Sequence, residues 1–151
     1  MADEEKPRPF QTQIDAANEG QLSMSFSDDI RMNAEEFVYI DRDCQAMKDK
    51  IREFQQIADR IADREVWGLG EDPNGWIRSG KVLVQRFREK AKGDPAGNSV
   101  HAILERHYLI VEGIQQLHRV IAQRYVESDS EFASRYNEVM ASAPQGFQGK
   151  S

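Results

Sequence analysis

Cysteine, histidine and long apolar runs are scarce in this chain, and each scarcity removes a class of function. Cys44 is the single cysteine in 151 residues, so an internal disulfide and a cysteine metal cluster are both excluded. The three histidines are His101, His107 and His118. On a helix His107 and His118 share a face but stand three turns, about 16 Å, apart, too far for one metal ion. A helical di-iron site needs Glu-x-x-His pairs, and here Glu105, Glu112 and Glu127 are followed at that spacing by Tyr108, Gln115 and Ser130. No phosphate loop, nucleophile elbow or His-Glu-x-x-His occurs. The expectation is a protein that is not an enzyme and holds no metal and no cofactor. No apolar run approaches the roughly 20 residues of a membrane span. A formal net charge of -6 argues against nucleic acid as a partner. Residues 1–10 are acidic and contain prolines, without the charged-then-apolar order of a Sec signal, so secretion would need a non-Sec route.

What the chain does have is helical periodicity. From Ile30 a seven-residue pattern places Ile30, Phe37, Cys44, Ile51 and Ala58 in one column. Asn33, Ile40, Met47, Phe54 and Ile61 fall in the other. Nine of these ten are apolar or Cys, which predicts a coiled-coil-like seam. A helix over residues 29–66 would be about 57 Å long and could not bury its own seam. Ser27, Asp28 or Asp29 would cap it.

Residues 67–75 hold three glycines and a proline and form the strongest break in the sequence. A second helix is expected over 76–92, with Trp76, Leu83, Val84, Phe87 and Ala91 on one side. Residues 93–97 break the chain again, and Asn98 or Ser99 caps a third helix. Its seam is Val100, Ile103, His107, Ile110, Ile114, Leu117 and Ile121, and it runs on to about Val139, loosened near 128–130. The resulting expectation is all-α: a long antiparallel helical hairpin over 28–140 with a short extra helix between its arms. Residues 1–27 read as a disordered arm and 141–151 as a disordered tail.

Four features stand out, each with a plain alternative. Trp67-Gly68-Leu69-Gly70 is either a helix stop with a left-handed glycine at Gly68 or Gly70, or an exposed recognition surface. Tyr125 and Asp129 lie one helical turn apart on one face, near the end of the last helix. Tyr39–Asp43 and Tyr108–Glu112 share that spacing, so location alone singles out the third copy. Arg78, Lys81, Arg86, Arg88, Lys90 and Lys92 stand against the single acid Glu89. Of these, Arg78, Lys81, Arg88 and Lys92 share one face, which is either solvated or a docking face for an acidic partner or anionic headgroups. Cys44 and His107 sit in the seams and read as core residues.

Long helix, Trp-Gly turn, return helix and terminal Tyr-x-x-x-Asp together resemble the WXG-motif superfamily of type VII secretion substrates. That family consists of small helical hairpins that pair into four-helix bundles. The resemblance implies a bipartite export signal formed by Trp67, Gly68 and Gly70 with Tyr125 and Asp129, read by the secretion ATPase. It implies a homodimer, or a heterodimer with another helical hairpin, and a chain that is cytoplasmic before export. Two features depart from the family pattern: the second residue after Trp67 is Leu69 rather than glycine, and the helix over 76–92 is additional. The competing expectation is a cytosolic helical adaptor or regulator that binds a protein partner through its apolar seam.

Overall fold

The computed structural model describes residues 8–22, 32–71 and 77–143. It contains α1 (Gln11–Asn18), α2 (Ala34–Ala62), α3 (Arg78–Ala91), α4 (Val100–Ser128) and α5 (Ser130–Ser142). Among the described residues there is no strand, so the all-α expectation holds at that level. No helix is long and apolar enough to cross a membrane among the described residues. The expected caps Ser27, Asp28 and Asp29, the first seam residue Ile30, and Trp76 fall outside the described residues.

The chain divides into two compact units. The first comprises Met1–Lys48 with Leu109–Ser151, and the second is Asp49–Tyr108. α2 and α4 each contribute a segment to both.

In the first unit the core is aromatic. Phe132 is buried and its ring lies 5.9 Å from Phe37, 5.3 Å from Tyr125 and 5.9 Å from Tyr136. Phe37 also meets His118 at 5.9 Å. Gln115 is 1% exposed, and its amide donates to the Asp41 carbonyl at 2.9 Å. That bond removes the desolvation penalty that an unpaired buried amide would carry. Arg119 pairs with the Asp41 carboxylate and Arg135 with Glu35, so α4 and α5 are both tied to the start of α2.

The arm expected over 1–27 requires correction, because α1 forms inside it and buries Ile14 and Ala17. Eight residues make a marginal helix in water. Tertiary contacts supply what propensity does not: Arg124 donates to the Ala17 carbonyl at 3.3 Å and to that of Asn18, adding a side-chain donor at the end of α1. The preceding residues lie directly on Gly113 of α4, where an added Cβ would stand 2.6 Å from the Pro9 carbonyl oxygen. Only glycine permits that approach.

The third helix also needs correction. The expected run to Val139, loosened near 128–130, is fully broken there: Asp129 is extended (φ -134°, ψ 110°). Its carboxylate accepts from the backbone N–H of Glu131 at 2.9 Å and of Phe132 at 3.0 Å. Asp129 is therefore the N-cap of a separate helix, which continues to Ser142.

In the second unit Ile51, Ala58, Val84 and Ala91 are buried. α2 and α4 are clasped there along one edge by polar groups. Arg52 pairs with Glu105 and lies over the Tyr108 ring at 3.7 Å. Gln55 is buried and donates to Glu105 at 2.8 Å and to the His101 carbonyl at 3.2 Å. Asp59 has one oxygen without a directed hydrogen bond, but Lys92 Nζ stands 2.9 Å from it and His101 Nε2 3.6 Å. Ser99 caps α4, its hydroxyl accepting from Ala102 N–H at 3.3 Å.

Candidate functional site

The Trp67 turn is a built structure. α2 ends at Ala62, five residues earlier, so the glycines do not cap it as expected. Gly68 and Gly70 do adopt positive φ, 72° and 80°. This curls the backbone so that the N–H groups of Trp67, Gly68 and Leu69 converge on the Glu71 carboxylate, with Gly68 at 3.0 Å and Leu69 at 2.7 Å. Converging backbone donors favour an anion. They hold the Glu71 carboxyl down to about 2, chiefly through the hydrogen bond from its own N–H and then that of Trp67. The Trp67 indole is half-buried. It stacks on Phe87 at 5.7 Å, and its Nε1–H donates to the Arg64 carbonyl at 3.0 Å. The turn rests on α3 at Gly80, where a Cβ would lie 2.3 Å from the Leu69 carbonyl oxygen.

Tyr125 and Asp129 belong to the first unit, and Trp67, Gly68 and Gly70 to the second. Tyr125 is half-buried, with its ring among those of Phe37 and Phe132. Asp129 is exposed, yet its carboxylate is engaged in capping α5. Both residues of the Tyr-x-x-x-Asp half of the expected signal thus have a structural task.

The basic face over Arg78, Lys81, Arg88 and Lys92 is only partly a face. Arg78 and Lys81 are exposed. Arg88 turns inward, donating to the Arg64 carbonyl at 2.8 Å and the Glu65 carbonyl at 3.3 Å, so it holds the chain beyond α2 rather than meeting a ligand. Lys92 is spent on Asp59. Cys44 is half-buried and its thiol is pushed up, first by burial and then by Asp41 and Asp43, as suits an unreactive packing residue. His107, expected in the core, is exposed. Among the described residues no group of three His, Cys, Asp or Glu side chains could hold a metal ion.

The larger departure concerns the seam. Its two columns behave differently in the second unit. Ile51 and Ala58 are 5% and 3% exposed, whereas Phe54 and Ile61 are 52% and 43% exposed. The open column walls a groove with Ile57 and Val100, over a floor of Ala58, Ala91 and Leu104. The groove is almost wholly apolar and runs along the edge of α2 and α4 opposite the polar clasp. Sequence periodicity flagged every residue of α2 in it except Ile57, but assigned them to a buried interface. Ile57 lies one turn from both Phe54 and Ile61 and was the signal for a stripe wider than a seam.

No family model matches the chain, and no curated protein or solved structure is significantly similar to it. The type VII resemblance therefore rests on the motif residues alone.

Proposed function

We propose that this chain is a non-catalytic helical binding module that receives a helix of a protein partner in the groove of the Asp49–Tyr108 unit. The observation that carries this reading is the open column: Phe54 and Ile61 continue a heptad seam yet lie half in solvent. Side chains of that size left beside a floor of alanines cost free energy that a partner helix recovers. An antiparallel hairpin of α2 and α4, with α3 in the connection, is the frame we assign to it. In support, partners descend α4 as they ascend α2 within each unit: Phe37 with Tyr125 and Asp41 with Arg119 in one, Arg52 with Glu105 and Asp59 with His101 in the other. The test is a photocrosslinking residue at Ile57, in cells that make the protein, against a control at exposed Asp15. A discrete adduct at Ile57 that is lost on Phe54→Ser supports the reading. No adduct, together with a monomer by sedimentation at high concentration, overturns it.

A second reading is favoured by the Trp67 turn, which is ordered and partly solvent-facing. In this reading the chain is a type VII secretion substrate or secretion-associated partner, read by the secretion ATPase and paired with another hairpin. Conservative variants separate signal from scaffold. Tyr125→Phe keeps the ring among Phe37 and Phe132, and Asp129→Ser keeps a capping oxygen. Loss of export in both, with unchanged melting, supports the signal. Normal export of both removes it.

A further inference from the structure

We infer that the helix received by this groove is acidic along its flanks and comes from another protein. The inference rests on the groove being a docking site, and it names the occupant from the charges along the banks. On α2 the side chain beyond the apolar wall is Arg60, one turn from Ile57, and Arg64 follows two residues after the helix ends. On α4 they are Arg106 and His107, both exposed. Among the described residues neither Arg60 nor Arg106 has an ion-pair partner, whereas Arg64 is turned toward the Val66 carbonyl at 2.8 Å. The acid on these banks, Glu53, is paired with Lys50 at 2.7 Å. The acids nearest on the opposite edge, Asp59 and Glu105, are used in the clasp. The groove is thus apolar in its bed and cationic along both sides.

Three occupants compete, and geometry separates them. A second copy docking groove to groove would set the arginines of its banks against those of the first, a like-charge pairing. A bilayer is flat and would leave the recessed floor at Ala58, Ala91 and Leu104 unused. A helix with an apolar ridge fills the floor, and carboxylates on its flanks meet the arginines on both banks. Phe54 to Ile61 spans two turns, about 10 Å, so a docked helix of about three turns reaches both arginines.

The experiment uses the full chain and two synthetic amphipathic helices of about four turns. Both carry leucine at one-turn spacing. One has glutamate along the flanks of the stripe and the other has lysine there. Binding is read by fluorescence anisotropy at low and high salt. The glutamate peptide should bind on the order of tenfold tighter than its lysine twin at low salt, with the gap closing as salt rises. Arg60→Glu with Arg106→Glu should reverse the ranking, and Phe54→Ser should weaken both peptides, with the circular dichroism of every variant unchanged. Equal binding of the two peptides would overturn the acidic occupant while leaving the groove as a docking site. Sedimentation showing a dimer abolished by Phe54→Ser would give the groove to a second copy. Binding to phosphatidylserine vesicles abolished by the same change would give it to lipid. No binding of any probe would overturn both this inference and the docking reading beneath it.

Discussion

The Met1–Lys48 and Leu109–Ser151 unit and the Asp49–Tyr108 unit are built on successive segments of the same two long helices, and they finish differently. Of the fifteen large hydrophobic side chains left exposed among the described residues, eleven are in the second unit. Their charge differs as well. The first unit has nine Lys and Arg against sixteen Asp and Glu, and the second eleven against ten. In the first, α1 and α5 add further faces, and Phe132 of α5 supplies the centre of the ring cluster. In the second, α3 and the Trp67 turn cover part of the apolar surface and leave the rest open. A heptad column is therefore neither core nor surface by its spacing. It becomes one or the other according to which elements are available to lie on it.

Truncating side chains tests the two settings most directly. Phe132→Ala should destabilise by about 3–5 kcal/mol and Ile51→Ala by about 2–4 kcal/mol, both being buried. Phe54→Ala, three residues along the same helix, should cost under about 1 kcal/mol, because half of its ring is already in water. Urea denaturation measures all three. A Phe54→Ala cost equal to that of Ile51→Ala would mean that the open column is covered in solution.

Each unit also seats a loop on a helical glycine. Alanine at such positions gains helix propensity of up to about 1 kcal/mol. Here Gly113→Ala meets the Pro9 carbonyl oxygen and Gly80→Ala meets that of Leu69, both backbone atoms that cannot swing aside. Each substitution should lower stability by about 1–3 kcal/mol despite the propensity gain. Thermal melting reads the sign. Gly113→Ala should also release the segment before α1, seen as faster proteolysis near Phe10.

The smallest effect is a local one, confined to the second unit. The Glu71 carboxyl sits at about 2 against an ordinary 4.5, so its stabilisation of the turn is fully present above 4.5 and is lost as pH falls toward 2. Trp67 fluorescence, followed in a Trp76→Phe background, should shift across that window with far-ultraviolet circular dichroism unchanged. Glu71→Gln should abolish the pH dependence. A shift that persists in Glu71→Gln would place the titration elsewhere.

Much of the frame was legible in the residues. The heptads of α2, the breaks at 67–71 and 93–97 and the cap at Ser99 follow from periodicity, glycine, proline and a hydroxyl, all local signals. α1 was not legible, because eight residues rich in Gln and Ala hold no helix until Arg124 and Gly113 receive them. The break at Asp129 was half legible. The sequence shows a capping residue between two apolar stretches, but the same carboxylate also fits a Tyr-x-x-x-Asp signal, and spacing does not choose between them. Arg88 illustrates the same limit: six cations in one helix look like one face until two carbonyls beyond α2 claim one of them.

From its sequence this protein could be read as helical, with breaks in the chain at 67–71 and 93–97. Those properties depend on side-chain type and on spacing along a single chain. Only the tertiary structure decided which seam column is buried, that Tyr125 packs and Asp129 caps, and that an apolar groove stays open between Phe54 and Leu104. The reason is that burial is a property of pairs of surfaces. A helix carries its apolar stripe in its own sequence, but whether another element removes that stripe from water depends on residues far away in the chain.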